Sequence, residues 1–377
     1  MKILVITGNF PPDIGGPATY LPLLCARLTE RGHKICVLTL WDARFEPDDE
    51  KYPFEVIRIP LQKSRFKAMF FKCVSKIVES GRNYDVLYVH GIGLESVMAN
   101  FILRKPLVHK VAGDWAWESA INLNLVADDF EEFQRKKYPL KIEYLKMKRN
   151  FYIRRGHRVI VPSNYLKKWV NSLGVSENRI SVVYNTFQFD GDIKDVDIPL
   201  KTDFNILTVG RLVKWKHIDE ILEVIARFGT VGLIVLGDGT ELNYLKKLSE
   251  KLGVRERVCF AGRVPKSIVL GYMKSCQAFV LNSNYEGFPH VVIEAMHCGI
   301  PLIASRAGGT PEIVKDGYNG FLIERGNLTQ LEDRIRAIME KADLRARFIS
   351  NGYETVSSLN VDGMVNETEA ILQSMIK

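Results

Sequence analysis

Glu286 and Glu294 flank a Gly-Phe-Pro segment in the last third of the chain. The mainly apolar residues 277–281 predict a buried strand, and Pro289 suits the first turn of a helix over 291–298. The carboxylates then lie at the carboxyl edge of a parallel sheet, where open α/β sheets bind ligands. Such a pair could hold a ligand with many hydroxyls, although helix-dipole and solvent-facing roles would also explain it.

Two cations follow another predicted strand, over residues 205–209. Arg211 stands at the end of that strand, and Lys216 comes a short loop later, beside a helix that begins near His217. Guanidinium and ammonium groups at such a place could clamp a pyrophosphate. Without further context, a role in surface ion pairs explains the two residues equally well.

The glutamates and their surroundings closely resemble a known signature. Glu286 and Glu294, with Gly-Phe-Pro between them, are similar to the E-x7-E motif of retaining glycosyltransferases of family 4, in the glycogen-synthase-like superfamily. Gly308-Gly309, Glu312 and residues 317–321 match the usual continuation of that motif. The segment from Gly210 to Lys216 is similar to the family's donor-phosphate motif, and the resemblance spans nearly the whole chain.

The resemblance implies which residues act. Arg211, Lys216 and Glu286 would be catalytic, with the two cations stabilising the departing diphosphate and Glu294 binding the ribose. The implied donor-binding residues are Gly15, Gly16, Arg211, Lys216, Val264, Glu286, Gly287, Phe288, Pro289 and Glu294. No D-x-D motif occurs in a matching context, so we expect no metal and no cofactor. The expected donor is a UDP-sugar, with GDP- and ADP-sugars as alternatives.

The first half supplies residues for the acceptor and sugar side. His90 follows the predicted strand over 85–89, while Asp114 and Trp115 follow the strand over 107–111. Many relatives have a histidine at the end of this second strand, but here that place aligns with Gly113 and Asp114. Asp114 could bind a sugar hydroxyl instead, and Trp115 could stack on a sugar or simply pack in the core.

Strand and helix patterns alternate in both halves, which predicts an α/β protein of two domains. The resemblance implies the GT-B fold, in which two Rossmann-like, doubly wound domains face each other across a cleft. We assign residues 1–187 to an acceptor-side domain and 204–358 to a donor domain. The last residues, 359–377, would form a helix that packs back on the first domain.

The formal net charge is +8, which suits an anionic partner. Nucleic acid is not expected, because no nucleic-acid-binding module is recognisable. Two basic stretches with interleaved apolar residues, 63–80 and 135–155, predict either packed helices with charged faces or contact with an anionic membrane. The six scattered cysteines and the absence of a signal-peptide pattern favour the cytoplasm, with the inner face of the membrane as a further option.

The predicted function is therefore a retaining, metal-independent transfer of a sugar from a nucleotide-diphosphate sugar to a hydroxyl of a sugar, glycan or lipid-linked acceptor. Polysaccharide or glycolipid assembly is the expected setting. The alternatives are a non-catalytic sugar-nucleotide-binding subunit, a sugar-nucleotide epimerase or phosphorylase of the same fold, and a basic membrane-interaction protein. Donor hydrolysis, true transfer, or liposome binding without donor affinity would separate them.

Overall fold

The computed structural model describes residues 1–13, 15–42, 46–61, 66–189 and 191–376, without the side chains of Phe66 and Lys67. It contains two compact units. Unit 1 consists of Met1–Ala127, Arg135–Phe187 and Asn360–Lys377, and unit 2 of Asp128–Gln134 and Gln188–Leu359. Unit 2 also contains Asp128–Gln134, residues 188–203 and Leu359, which lie outside the bounds predicted for the donor domain.

Unit 1 is built on a parallel sheet. Among the described residues its strands are β1 (Lys2–Thr7), β2 (Lys34–Trp41), β3 (Glu55–Pro60), β4 (Val86–His90), β5 (Leu107–Lys110), β6 (Arg158–Val161) and β7 (Ile180–Val182). Their order is β3-β2-β1-β4-β5-β6-β7, and every described pairing is parallel.

Helices cover both faces of this sheet. The described helices of the first half of the chain are α1 (Gly16–Glu30), α2 (Phe66–Gly81), α3 (Gly93–Leu103), α4 (Trp115–Asn122), α5 (Phe130–Arg135), α6 (Leu140–Arg155) and α7 (Asn164–Ser172). All of them belong to unit 1 except α5, which lies in unit 2 apart from its last residue. The basic stretch predicted over 63–80 corresponds to α2, although residues 63–65 lie outside the described part. The stretch over 135–155 becomes the end of α5, a connection through Pro139, and α6.

The residues of β1 show why both faces must be covered. Ile3 and Val5 belong to one hydrophobic core with α1, while Leu4 and Ile6 belong to the core on the opposite face. Successive side chains of a strand point to opposite faces, so a strand with no polar interior residue has to be buried on both.

Unit 2 repeats this arrangement. Its described strands are β8 (Phe204–Val209), β9 (Val231–Leu236), β10 (Val258–Gly262), β11 (Ala278–Leu281), β12 (Leu302–Ser305) and β13 (Phe321–Ile323), in the order β10-β9-β8-β11-β12-β13. The helices of the second half are α8 (Ile218–Ile225), α9 (Leu242–Lys251), α10 (Lys266–Ser275), α11 (His290–His297), α12 (Thr310–Ile313), α13 (Leu328–Glu340), α14 (Ala342–Ser358) and α15 (Val361–Gln373).

The last helix, α15, belongs to unit 1. Val365 and Leu372 are fully buried in the same core as Leu24 of α1. Glu369 of α15 accepts hydrogen bonds from Arg31 and contacts His33, each at 2.6 Å. The chain therefore passes through unit 2 before it contributes its last helix to the core of unit 1.

The six cysteines are free thiols, and five of them are buried. Burial raises the pKa of Cys276 to about 12 and that of Cys298 to about 11. Because the thiolate is the reactive form, these side chains act as small apolar residues of the core.

Among the described residues, none of the helices combines the length and the apolar character that a membrane span requires.

Candidate active site

The strand order of unit 2 reverses direction between β8 and β11. From β8 the sheet continues through β9 and β10 on one side, and from β11 through β12 and β13 on the other. The loops that follow β8 and β11 therefore diverge and leave a crevice at the carboxyl edge, which is where doubly wound sheets bind ligands. Arg211 and Lys216 follow β8, and Glu286 follows β11.

Lys216 and Glu286 meet at this crevice. The Lys216 ammonium donates to Glu286 Oε1, and the two side chains are 15% and 14% exposed. The pair is thus largely shielded from solvent and yet open to a ligand. Nearby, the Arg211 guanidinium lies over the Trp215 ring at 5.5 Å from its centre, and Arg211 itself is exposed. The structure therefore brings all three predicted catalytic residues to one edge of unit 2.

The main chain of Glu286 is held by the Gly-Gly loop after β12. Gly309 N donates to Glu286 O at 2.8 Å. Gly308 has φ +55°, and a Cβ at this position would lie 1.9 Å from Glu286 O. A glycine is required here because any side chain would collide with the carbonyl group of the glutamate.

The rest of the motif leads from Glu286 into α11. Gly287, Phe288 and Pro289 are buried, and Pro289 is the residue before the first turn of the helix. Glu294, one turn further, is buried within α11 and accepts a hydrogen bond from Lys266. Val264 stands two residues before Lys266 and is partly buried.

Lys266 is a residue that the sequence did not single out. It is the first residue of α10, and it pairs with a glutamate of α11. Two carboxylates of the motif are therefore each matched by one lysine, Glu286 by Lys216 and Glu294 by Lys266. The only local signal was a lysine after a proline at a helix start, which does not reveal its partner.

In unit 1 the strand order reverses between β1 and β4. Gly15 precedes the first residue of α1, Gly16, and its φ is +152°. His90 is the last residue of β4 and is buried. The two predicted glycines and the predicted histidine thus lie at the carboxyl ends of neighbouring strands, in the place that corresponds to the crevice of unit 2.

Asp114 and Trp115 begin α4 after β5. One oxygen of Asp114 accepts from Ala116 N at 2.9 Å as the helix cap, and the other pairs with Arg149 of α6. Asp114 is completely buried, so its contacts explain it as an anchor of α4, and the hydroxyl-binding role stays a prediction. Trp115 is 48% exposed and accessible to a ligand, whereas Trp117 packs in the core.

Three basic side chains are buried at the ends of β4 and β5. Burial, with the nearby charge of Lys110, lowers the pKa of His90 to about 4, and burial lowers that of His109 to about 4. Burial likewise lowers the pKa of Lys110 to about 7, and its ammonium donates to Val183 O at 2.9 Å. Lys110 is a second residue that the sequence did not indicate, because nothing in a four-residue strand marks a lysine as buried.

These histidines make the stability of the protein depend on pH. The unfolded chain takes up protons below about pH 6.5, while the folded protein keeps His90 and His109 neutral down to about pH 4. Stability is therefore lost as pH falls through this window, by roughly 2 kcal/mol per histidine at pH 5. Between pH 7 and pH 5, the free energy of unfolding measured with urea should fall less in His109→Gln than in the wild type. The difference between the two falls should be about that amount.

His297→Gln, which removes an exposed histidine, is the matched control for this measurement. It reports what the exchange of a histidine for a glutamine costs by itself at an exposed position. An equal loss in His109→Gln and wild type would contradict the buried neutral state of His109.

The models of two protein families match successive parts of the chain. Glycosyltransferase Family 4 matches residues 14–188, which include the crevice residues of unit 1. Glycosyl transferases group 1 matches residues 192–355, which include both glutamates, both lysines and Arg211. The boundary between the two matches coincides with the passage of the chain from unit 1 to unit 2.

Individual proteins are similar over almost the entire length. The chain is 28% identical to an uncharacterized glycosyltransferase of Methanocaldococcus jannaschii, over 98% of this chain and 97% of that protein. It is 23% identical to N-acetyl-alpha-D-glucosaminyl L-malate synthase of Bacillus anthracis, over 97% and 96%. The crystal structure of Anabaena HepE in complex with UDP matches with a TM-score of 0.75 and 25% identity, over 99% and 100%. The chain therefore belongs to the group 1 glycosyltransferases of the family 4 type and has their GT-B fold.

Proposed function

We propose that this glycosyltransferase moves a sugar from a nucleotide-diphosphate sugar to a hydroxyl acceptor, with retention of the anomeric configuration, in the assembly of a glycan, polysaccharide or glycolipid. The observation that carries the proposal is the contact between Lys216 and Glu286 at the crevice of unit 2, beside Arg211. The crevice offers cations that can bind a phosphate and a carboxylate that can bind hydroxyls, and a nucleotide sugar contains both kinds of group.

The cations would act on the leaving group. When the bond between the anomeric carbon and the phosphate oxygen breaks, its electron pair passes to the diphosphate and adds negative charge there. Lys216 and Arg211 can stabilise that charge, which is the task that a metal ion performs in other enzymes. We therefore propose a metal-independent reaction. The acceptor oxygen then bonds to the anomeric carbon from the same face and passes its proton to the leaving phosphate.

The carboxylates would bind the donor. Glu286 is fixed by Lys216 at one oxygen and by Gly309 at its main chain, so its other oxygen can accept from a sugar hydroxyl. The main chain of residues 287–289 would complete the sugar site. Glu294, buried and paired with Lys266, would bind the ribose hydroxyls, and Val264 would contact the base.

A UDP-sugar is the donor that we propose first. Anabaena HepE, at 25% identity, has been crystallised with UDP, and its structure matches this chain end to end. The test is a panel of UDP-, GDP- and ADP-sugars, in which the melting temperature is measured with and without EDTA. A ligand that binds the folded protein raises this temperature by mass action. A shift with one donor that EDTA leaves unchanged is expected, and no shift at millimolar concentration would contradict donor binding.

Catalysis and stereochemistry need a second measurement. With the stabilising donor and a simple sugar acceptor, NMR of the product should show that the new linkage keeps the anomeric configuration of the donor. An inverted product would overturn the retaining mechanism. Binding without transfer or hydrolysis would favour a non-catalytic subunit.

We further propose that unit 1 binds an anionic membrane surface through α2, α3 and α6. These helices pack side by side, α2 against α3 and α3 against α6. Two stripes of apolar side chains on α3 and α6 remain 39–89% exposed: Met98, Phe101 and Ile102, and Leu140, Tyr144 and Met147. Their spacings follow the helical period, so each stripe lies on one face.

Cations accompany these stripes. Arg155 of α6 lies over the rings of Phe101 and Phe151 at 5.5 and 5.1 Å, and Lys148 lies over Tyr144 at 4.8 Å. Apolar side chains beside Lys and Arg suit the boundary between anionic headgroups and acyl chains, where each cation contributes about 1 kcal/mol. A lipid-linked acceptor would be found at that surface.

This proposal predicts a charge-dependent binding to lipid. The wild-type protein should co-sediment with vesicles that contain phosphatidylglycerol, and binding should fall with salt because the attraction is screened. The double variant Ile102→Glu, Met147→Glu should lose at least tenfold in vesicle affinity, because two carboxylates replace apolar contacts. Transfer to a water-soluble acceptor should be unchanged.

Leu123→Glu provides the matched control. Like Ile102 and Met147, Leu123 is an exposed apolar residue of unit 1, but it follows α4 and lies outside the three helices. It should bind vesicles like the wild type. Equal losses in the control and the double variant would show that the added charge, and not the proposed surface, is responsible.

A further inference from the structure

A short segment of the first half of the chain takes part in unit 2. It is Asp128–Gln134, which contains most of α5 and which we call the α5 segment. The chain reaches it from α4 and leaves it into α6, both of which belong to unit 1. Asp129 accepts from Glu132 N at 2.7 Å and caps the helix, so the segment has a defined local structure.

The segment packs directly against the residue that precedes Glu286. The rings of Phe130 and Tyr285 are stacked, with centres 4.3 Å apart and an angle of 17° between their planes. Both side chains are buried. Arg325 adds a polar connection, because its guanidinium lies 3.6 Å from Asp129 and 3.4 Å from Glu131 and also donates to Asn284 O at 3.4 Å.

The loop that presents Glu286 is thus fixed from three directions. Asn284 N donates to Trp215 O, in the loop after β8, and Gly309 N donates to Glu286 O. Those two contacts hold the main chain before and at Glu286. The residue between them, Tyr285, is held through its side chain by Phe130. Without the Phe130 ring, one side of the loop would lose its buried neighbour.

We propose that Phe130 is a positioning residue for the donor sugar, which acts by stacking on Tyr285 and thereby holding Glu286 in the geometry that transfer requires. The inference rests on the proposed function, because it assigns the α5 segment to the same site. Phe130 is not one of the residues to which the proposed function assigns the phosphates or the reacting carbon. Its loss should therefore act on kcat and leave the binding of a nucleoside diphosphate unchanged.

We expect a large effect on kcat, although Phe130 is distant in sequence from the motif that contains Glu286 and Glu294. Reacting groups have to be held within a fraction of an ångström, and a displacement of about 1 Å can cost 10²-fold in rate. We expect Phe130→Leu, which keeps an apolar side chain but removes the ring, to lower kcat roughly 10- to 100-fold. The KM for the donor should change less than about threefold.

The test compares both members of the stack. Phe130→Leu and Tyr285→Leu remove one ring each, while Tyr285→Phe keeps the ring and removes only a hydroxyl. Transfer is measured with the nucleotide sugar that stabilises the wild type most, and binding is measured with its nucleoside diphosphate, UDP in the expected case. Tyr285→Phe should behave like the wild type, and both leucine variants should bind UDP normally but transfer slowly.

The double variant Phe130→Leu, Tyr285→Leu decides whether the two rings act together. If they act through one contact, the double variant is no slower than the slower single variant. If the kcat losses of the two single variants multiply in the double variant, the proposal is overturned. A Phe130→Leu enzyme with wild-type kcat, or a Tyr285→Phe enzyme as slow as Tyr285→Leu, would overturn it as well. The comparison within Tyr285 keeps the test valid if Phe130→Leu does not fold.

Failure of this inference differs from failure of the proposed function. If the wild type transfers no sugar from any donor in the panel, the proposed function is wrong. If the wild type is active and the leucine variants match it in kcat, the proposed function stands and the role of Phe130 is rejected.

Discussion

Lys216→Ala should lower the rate of sugar transfer by about 10²- to 10³-fold, because one preorganised charge at a developing oxyanion is worth that much. Arg211 does not occupy the place of the ammonium, since it is exposed and lies over Trp215. The loss should be visible in kcat under saturating donor. Circular dichroism and the melting temperature report whether the variant is folded.

The cost of Lys216→Ala in stability should be much smaller than its cost in rate. The pair with Glu286 is partly open to solvent, and ion pairs of this kind contribute between the small values of exposed pairs and the larger values of buried ones. We expect a loss of about 1–2 kcal/mol in the free energy of unfolding.

Lys214→Ala is the matched control, because it removes an exposed lysine from the same short turn. Its transfer rate should stay within about threefold of wild type. A soluble Lys216→Ala protein with an unchanged rate would remove the diphosphate role from this lysine.

Gly308→Ala should abolish most activity without touching any side chain of the site. The new Cβ would lie 1.9 Å from Glu286 O, so either the Gly-Gly loop or the Glu286 main chain has to move, and the hydrogen bond from Gly309 N is broken. We expect a loss of about 10²-fold or more in kcat from the displaced carboxylate. The clash and the left-handed backbone together should cost roughly 3 kcal/mol in stability.

Gly317→Ala separates the collision from the backbone strain. Gly317 has φ +73°, close to that of Gly308, but a Cβ there would have no neighbour within 4 Å. The control should therefore lose only about 1 kcal/mol of stability and keep its transfer rate. Equal rates in the two variants would mean that the position of the Glu286 main chain does not limit transfer.

The fold could be predicted because its signals are local. Each strand is a short apolar run, and turns and helix caps mark the boundaries, so the alternation of strands and helices is visible without knowing any contact. The shape of the candidate site also followed in part from the sequence. Arg211, Lys216 and Glu286 all come directly after strands, and the carboxyl ends of parallel strands share an edge.

What could not be predicted are the pairings between distant parts of the chain. Lys266 and Glu294, Asp114 and Arg149, and Phe130 and Tyr285 each meet because the strand order brings their elements together. A helix cap such as Asp129 is readable from the sequence, but the surface on which the capped helix lies is not. Asp114 illustrates the difference, because its position after β5 suggested a ligand while its partners are a helix end and an arginine.

The helix α15 has a consequence for how the protein is made. Most of unit 1 precedes unit 2 along the chain, yet the core that contains Leu24 also needs Val365 and Leu372. The described strands of unit 2 are all present in the chain once residue 323 has been made. During synthesis the core of unit 1 is therefore completed only after the strands of unit 2 have been made. Until α15 is available, the apolar residues of α1 that pack against it remain exposed to chaperones and to non-native contacts.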